Sequence, residues 1–316
     1  MFKHTFLRVK FFSLILFASV LWFSGCKDET TSPETYDTDA VALQALALED
    51  SSNSSFEAAF NDSDPMNFLG KTATDVFPIR IGRRITSVSR TFSQTILSDT
   101  AYVTVNYNFA GNFFLVASYD SSAIGDTTKI DTVIVKPFTS VATRKLIFVR
   151  VNSTRNPRIN WKLVAVSLPE GGTVTSNLQI QKLSIYLPSG DSIVVTSPND
   201  YYLSKFAGVR KLIPVVTRGL QVRVKLDVFS TYAEDDIVVL TYGANSFGRF
   251  KEKRILTLVS STPALNGYNK VYEQTFRPLQ LGGLYHALVD VMSRGSIYTD
   301  NRPFENKVWG FPYYVK

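Results

Sequence analysis

The sequence predicts a mainly β protein in two parts: an α+β domain, with helices followed by a curved antiparallel sheet, and then an all-β sandwich. Three observations predict it. Helical spacing of apolar residues is confined to residues 39–60. From Phe77 onward apolar and polar residues alternate with a period of two. Gly- and Pro-bearing breaks recur between those segments, as antiparallel connections require.

In chain order, the first feature is an address. Lys3, Arg8 and Lys10 precede an apolar run over residues 11–23, which is followed by Ser24, Gly25 and Cys26. The run is 13 residues long, whereas crossing a bilayer core takes about 20, so residues 1–25 read as an export signal and not a membrane span. Phe23-Ser24-Gly25-Cys26 resembles the lipobox of bacterial lipoproteins, with Phe23 where leucine is usual. That resemblance covers the first 26 residues and implies an anchor, not an activity: Cys26 would be acylated and become the first residue of the mature chain. Buried acyl carbons contribute about 0.8 kcal/mol each, so several chains hold a protein stably on a membrane. Lys27-Asp28-Glu29 resembles the lysine-plus-acids signal that sends some Bacteroidetes lipoproteins to the cell exterior. The resemblance implies an outer-membrane, surface-facing location; the alternative is an acidic tether that simply stays solvated.

Residues 26–38 are that tether, polar and carrying Pro33, too poor in apolar area to fold alone. The first domain is expected over residues 39–169. Asp39 is placed to cap a helix through Leu48, with Val41, Ala45 and Leu48 on one face. Ser54-Ser55-Phe56-Glu57 has capping-box spacing, Phe56 and Phe60 fall one turn apart, and Asp64-Pro65 ends the helix. A strand over residues 101–109 should turn at Gly111-Asn112 into residues 113–119; further strands are expected at 130–135, 144–151 and 161–168. This order, closing on the pair 144–148 and 160–166, resembles the cone of the nuclear transport factor two-like and steroid isomerase-like families in shape, without a diagnostic motif. A plain β domain with a helical preface is the alternative.

Pro169-Glu170-Gly171-Gly172-Thr173 breaks the pattern and is the expected domain boundary. Strands follow at 178–187, 192–196, 220–228, 237–242, 255–259, 285–292 and 308–315, with turns at Ser189-Gly190, Asn266-Gly267 and Gly282-Gly283. Residues 170–316 therefore resemble the immunoglobulin-like sandwiches of bacterial exported proteins, in architecture only, since no cysteine pair is present. Trp309 is expected to pack in the core or at an edge, and Pro312 marks an edge strand that cannot be fully paired.

Composition narrows the chemistry. Cys26 is the only cysteine, so the mature chain has no internal disulfide and no cysteine metal site. Of two histidines, His4 lies in the signal, so any serine-histidine-acid triad would rest on His286. The formal charge of +7 becomes +4 without residues 1–25; residues 27–64 carry a net −9 and the remainder +13. Such asymmetry suits a basic surface held toward an anionic partner, or an ordinary soluble surface. Arg80, Arg83, Arg84 and Arg144 are the candidate anion-binding residues, because guanidinium clusters bind phosphate, sulfate or carboxylate bidentately; the alternative is positive charge protecting a sheet edge. A cone-shaped domain would offer a pocket, and its acids after Pro65 are Asp75, Asp99, Asp120, Asp126 and Asp131, all near expected turns. No cofactor or metal is implied, and no base-reading motif points to nucleic acid. The reading is a membrane-anchored, non-catalytic binding or scaffolding module whose partner is an anionic glycan or another envelope protein. A small-ligand carrier or enzyme using the cone pocket stays open beside it.

Overall fold

The computed structural model describes residues 38–61, 66–67, 77–120, 128–175, 177–204, 213–247, 249, 251–299 and 302–316. Cys26, Lys27, Asp28, Glu29 and Asp64-Pro65 lie outside them. Helix α1 (Asp39–Glu49) starts one residue earlier than expected, because Thr38 is the cap: its Oγ1 accepts from Val41 N at 3.3 Å. The helix buries Ala42, Leu43 and Ala47, not the expected stripe through Val41, Ala45 and Leu48. Gln44 is the one polar residue between its ends, so periodicity could not choose a face. Helix α2 (Ser51–Phe60) does bury Phe56 and Phe60.

Four strands come next: β1 (Met66–Asn67), β2 (Phe77–Leu97), β3 (Thr100–Ser118) and β4 (Thr132–Arg150). The three long ones pair antiparallel along almost their whole length, with strict alternation of buried and less buried residues on β3. The hairpin expected at Gly111-Asn112 does not form. Gly111 lies inside β3 opposite a bulge at Thr86, where an added Cβ would sit 2.4 Å from Arg84 O. The chain passes so close that only glycine fits, and a crowding signal was read as a turn.

After α3 (Pro157–Asn160) come β5 (Trp161–Ser167), β6 (Glu170–Gly172), β7 (Leu178–Tyr186), β8 (Ser192–Val195), β9 (Tyr202–Ser204) and β10 (Val215–Val216). The last part holds β11 (Val222–Ser230), β12 (Ile237–Ala244), β13 (Glu252–Ile255), β14 (Thr257–Ala264), β15 (Gly267–Phe276), β16 (Gly283–Met292), α4 (Arg294–Tyr298) and β17 (Asn306–Val315). The protein is thus mainly β, built as two open sheets. The larger runs β1-β2-β3-β4-β6-β17-β16-β12-β13, with β5, β9 and β10 attached off this path; the smaller runs β14-β15-β11-β7-β8. Among the described residues all pairings are antiparallel except the two-residue pair β10–β17.

A separate α+β domain followed by an immunoglobulin-like sandwich is not confirmed. The stretch expected as a linker is β6, which pairs with β4 on one side and with β17 on the other. The large sheet therefore passes from one half of the chain to the other, and Tyr36–Lys316 makes one compact unit. Glycine again marks crowding: a Cβ on Gly171 would lie 2.4 Å from Val141 O, and one on Gly172 2.3 Å from Asn306 O.

β12, β16 and β17 are buried on both faces, which accounts for their nearly continuous apolar runs. One face packs against α2. The other meets the small sheet, where Phe276 of β15 lies between Tyr242 and Tyr313 at ring separations of 4.7 and 6.0 Å. Trp309 is buried as expected.

Candidate functional site

The inner face of the long strands is covered by α2, which leaves beside it a groove of about 290 Å³ lined by Glu57, Asn61, Val88 and Phe109. Phe60 stacks on Phe109 at 4.3 Å, and Phe56 meets Tyr107 edge-on at 5.6 Å. Arg83 of β2 crosses to β16, where Nη1 donates to Asp290 Oδ2 at 2.8 Å; its Nη2 donates to Phe60 O at 3.1 Å. A cation at the C-terminal end of α2 also complements the helix dipole. The second oxygen of Asp290 accepts from Asn306 Nδ2 at 2.9 Å. Ser55 Oγ and His286 Nδ1 are hydrogen bonded at 2.8 Å, both buried. Burial and the nearby Arg144 guanidinium hold the His286 imidazole well below its ordinary pKa, so it is neutral. No carboxylate completes a triad: His286 Nε2 has no hydrogen-bond partner among the described residues, and Asp290 is engaged by Arg83. The cavity lined by Ile81, Arg83, Phe113, Asp290 and Phe304 measures about 20 Å³, room for about one water.

The outer face of the same sheet carries a cleft of about 470 Å³, within the ~300–1,000 Å³ usual for small-ligand sites. β6 positions it. The pairing of β6 with both neighbours sets Thr143, Glu170 and Trp309 side by side, with Val141, Gly172 and Lys307 as the adjoining row. Gly172 lies in the floor between Val141 and Lys307. Gln179 of β7 and Thr196 and Ser197, just after β8, form the opposite wall.

Glu170 Oε1 accepts from Asn199 Nδ2 at 2.6 Å, while Lys307 Nζ donates to Thr173 O at 3.2 Å. Burial pulls the Lys307 ammonium below its ordinary pKa, and the Glu170 carboxylate works against that shift. Thr143 Oγ1 donates to Asn106 Oδ1 at 2.8 Å and Ser197 Oγ to Asp200 Oδ2 at 2.7 Å, so each hydroxyl is oriented and keeps acceptor capacity. The arrangement offers a polar ligand one carboxylate, one ammonium and several hydroxyl and amide groups.

The four candidate arginines do not form one basic face. Arg83 and Arg144 are buried inside, Arg80 is half-buried and Arg84 is exposed. Arg83 and Arg84 are successive residues of a strand and so point to opposite faces. Arg144 is fully buried and donates Nε to Ser167 O at 3.0 Å. Of the five acids weighed for a pocket, Asp99, Asp120 and Asp131 are exposed, and Asp75 and Asp126 lie outside the described residues. The buried carboxylates are Asp290 and Asp236, the latter 3.0 Å from Lys270 Nζ. Sequence reasoning missed both, as well as Glu170 and Lys307; a charge in the middle of the apolar run Leu288-Val289-Asp290-Val291-Met292 was the available signal for Asp290. Among the described residues no three His, Cys, Asp or Glu side chains gather as a metal site requires. No protein-family model matches the sequence, and no curated protein matches it.

Proposed function

We propose that this chain is a lipid-anchored, non-catalytic binding protein of an outer membrane, held on the cell surface through Cys26, and that it takes a polar ligand or partner group in the cleft beside β6. The observation that carries the binding reading is the open polar cleft of about 470 Å³ beside β6, larger than the groove of about 290 Å³ left beside α2 on the inner face. The anchor is supported by the order of basic, apolar and small residues ending at Cys26, and the surface location by Lys27-Asp28-Glu29. Among the described residues no helix is long and apolar enough to cross a membrane. A carrier or enzyme using an inner pocket has less support, because the cavity beside Asp290 holds about one water and the groove between α2 and the long strands, about 290 Å³, is smaller than the cleft beside β6. A basic face built on the four arginines loses support through the burial of Arg83 and Arg144.

The test is capture by photo-crosslinking from intact cells, with the crosslinker at Thr196 on the cleft wall. A defined partner or glycan should be captured, and Glu170→Gln with Lys307→Met should reduce its yield at least tenfold. Capture that is unchanged in the double variant would remove the cleft from the account.

A further inference from the structure

We propose that β2 pairs with β2 of a second copy of this chain, antiparallel across a two-fold axis at Phe92, so that the large sheet continues from one copy into the other. This pairing depends on neither the anchor nor the cleft.

The border of the large sheet is open where the pairing would form. At the start of β2 the two-residue β1 covers Arg80 and Ile81, and Asn61 Oδ1 accepts from Ile85 N at 3.4 Å. From Ser87 to Leu97, among the described residues, β3 is the only strand that pairs with β2. Backbone groups on the other side of that stretch can therefore take a further strand.

The strands at the other ends of the two sheets are defended. β13 is four residues long and carries Glu252, Lys253 and Arg254. β8 is also four residues long, and β14 has a bulge between Leu258 and Ser260 and a proline at 263. Short edges, charges, bulges and proline each deter pairing with a foreign strand. Residues 87–97 have none of these devices. Their register with β3 is unbroken, and no proline or lysine occurs among them. Their single charge, Arg90, is turned back onto α2, where its Nε donates to Glu57 Oε1 at 2.7 Å.

The side chains of this edge select its partner. Val88, Arg90, Phe92, Gln94 and Ile96 lie opposite buried residues of β3 and share the inner face. The odd-numbered residues from Ser87 to Leu97 are all exposed on the outer face. A two-fold axis perpendicular to the sheet keeps inner side chains opposite inner ones, so only registers centred on a residue are allowed. Centred on Phe92, the pairing sets Phe92 against Phe92 and Val88 against Ile96. Arg90 meets Gln94, whose Oε1 is buried with no hydrogen-bond partner among the described residues. On the outer face Thr91 meets Ser93 and Ser89 meets Thr95, hydroxyl against hydroxyl. An axis at Arg90 would oppose two guanidinium groups, and an axis at Thr91 or Ser93 would set Arg90 against Phe92 or Ile96. The strand is complementary to itself in one register, and that commits the edge to a second copy.

The chain from residue 26 onward with Cys26→Ser has no thiol and no lipid, and it leaves the compact unit Tyr36–Lys316 whole. Sedimentation equilibrium over a concentration series should show a monomer and a dimer. Thr91→Lys with Ser93→Lys sets lysine opposite lysine twice and should raise the dimer dissociation constant at least tenfold. Thr91→Lys with Ser93→Glu sets opposite charges there and should bring the constant back to within about threefold of the starting value. Both substituted positions are exposed, so the circular dichroism spectrum should not change. Spin labels read the register: two labels at Leu97→Cys should lie about 13 Å farther apart than two at Thr95→Cys, because each position is two residues more distant from the axis. A chain monomeric at every concentration, a dimer indifferent to the paired lysines, or label distances that do not lengthen from Thr95 to Leu97 would overturn the proposal.

Discussion

The two faces of β4 use polar side chains in opposite ways. Toward α2 the strand presents Ala142, Arg144 and Leu146, in an interior where Arg83 pairs with Asp290 and donates to Phe60 O at the end of α2, while Arg144 donates to Ser167 O. Outward it presents Val141 and Thr143, part of a cleft whose Glu170 and Lys307 form no ion pair with each other. The difference separates two kinds of polar residue that look alike in a sequence. Interior ones hold the fold together, and removing one leaves its partner buried and uncompensated. Cleft ones keep exposure and are available to a ligand.

The largest expected effect lies in the interior. Asp290→Ala strands the Arg83 guanidinium, which is 4% exposed, and should destabilise the protein by about 3–5 kcal/mol. Denaturant unfolding measures this, and a loss below about 1 kcal/mol would mean that the pair is solvated and the interior is not the closed region described. The next effect is in pH. His286 is the only histidine after residue 25 and its folded pKa is lowered, so the unfolded chain takes up a proton first as pH falls. Its contribution is complete above the unfolded value of about 6.5 and is lost as pH drops from there toward the folded value, at up to about 1.4 kcal/mol per pH unit. Unfolding free energies measured from pH 7.5 to 5.5 should show this slope, and His286→Asn should flatten it; a slope unchanged in the variant would place the titration elsewhere. The smallest effect belongs to the cleft. Glu170→Gln with Lys307→Met should change stability by no more than about 1 kcal/mol, although the same pair removes partner capture. A loss as large as that of Asp290→Ala would make the cleft a second structural network.

The alternating strands were legible because one face of each is apolar: residues 101–109 and 220–228 read directly as β3 and β11. Phe56 and Phe60 were legible by their helical spacing. The errors have common physical causes. Gly111, Gly171 and Gly172 stand where neighbouring backbone leaves no room for a Cβ, yet sequence presents them as turn or linker residues. β15 was missed because its inward positions include Lys270 and Gln274, and it takes the Asp236 carboxylate, 34 residues away in sequence, together with the Glu234 carbonyl to make a buried lysine tolerable. The cleft was invisible for a related reason: Glu170, Lys307 and Thr143 become neighbours only through β6, a three-residue strand between elements far apart in the chain.

Attachment through Cys26 is the premise of the proposed surface-binding role, and labelling reads it directly. Cells expressing the wild-type chain and Cys26→Ala can be fed a clickable fatty acid, and the products compared by gel and intact mass. The wild type should carry the label, begin at Cys26 and fractionate with membranes, while the variant should be unlabelled and retain residues 1–25. A wild-type chain without label, or a Cys26→Ala chain still labelled and shortened, would contradict it.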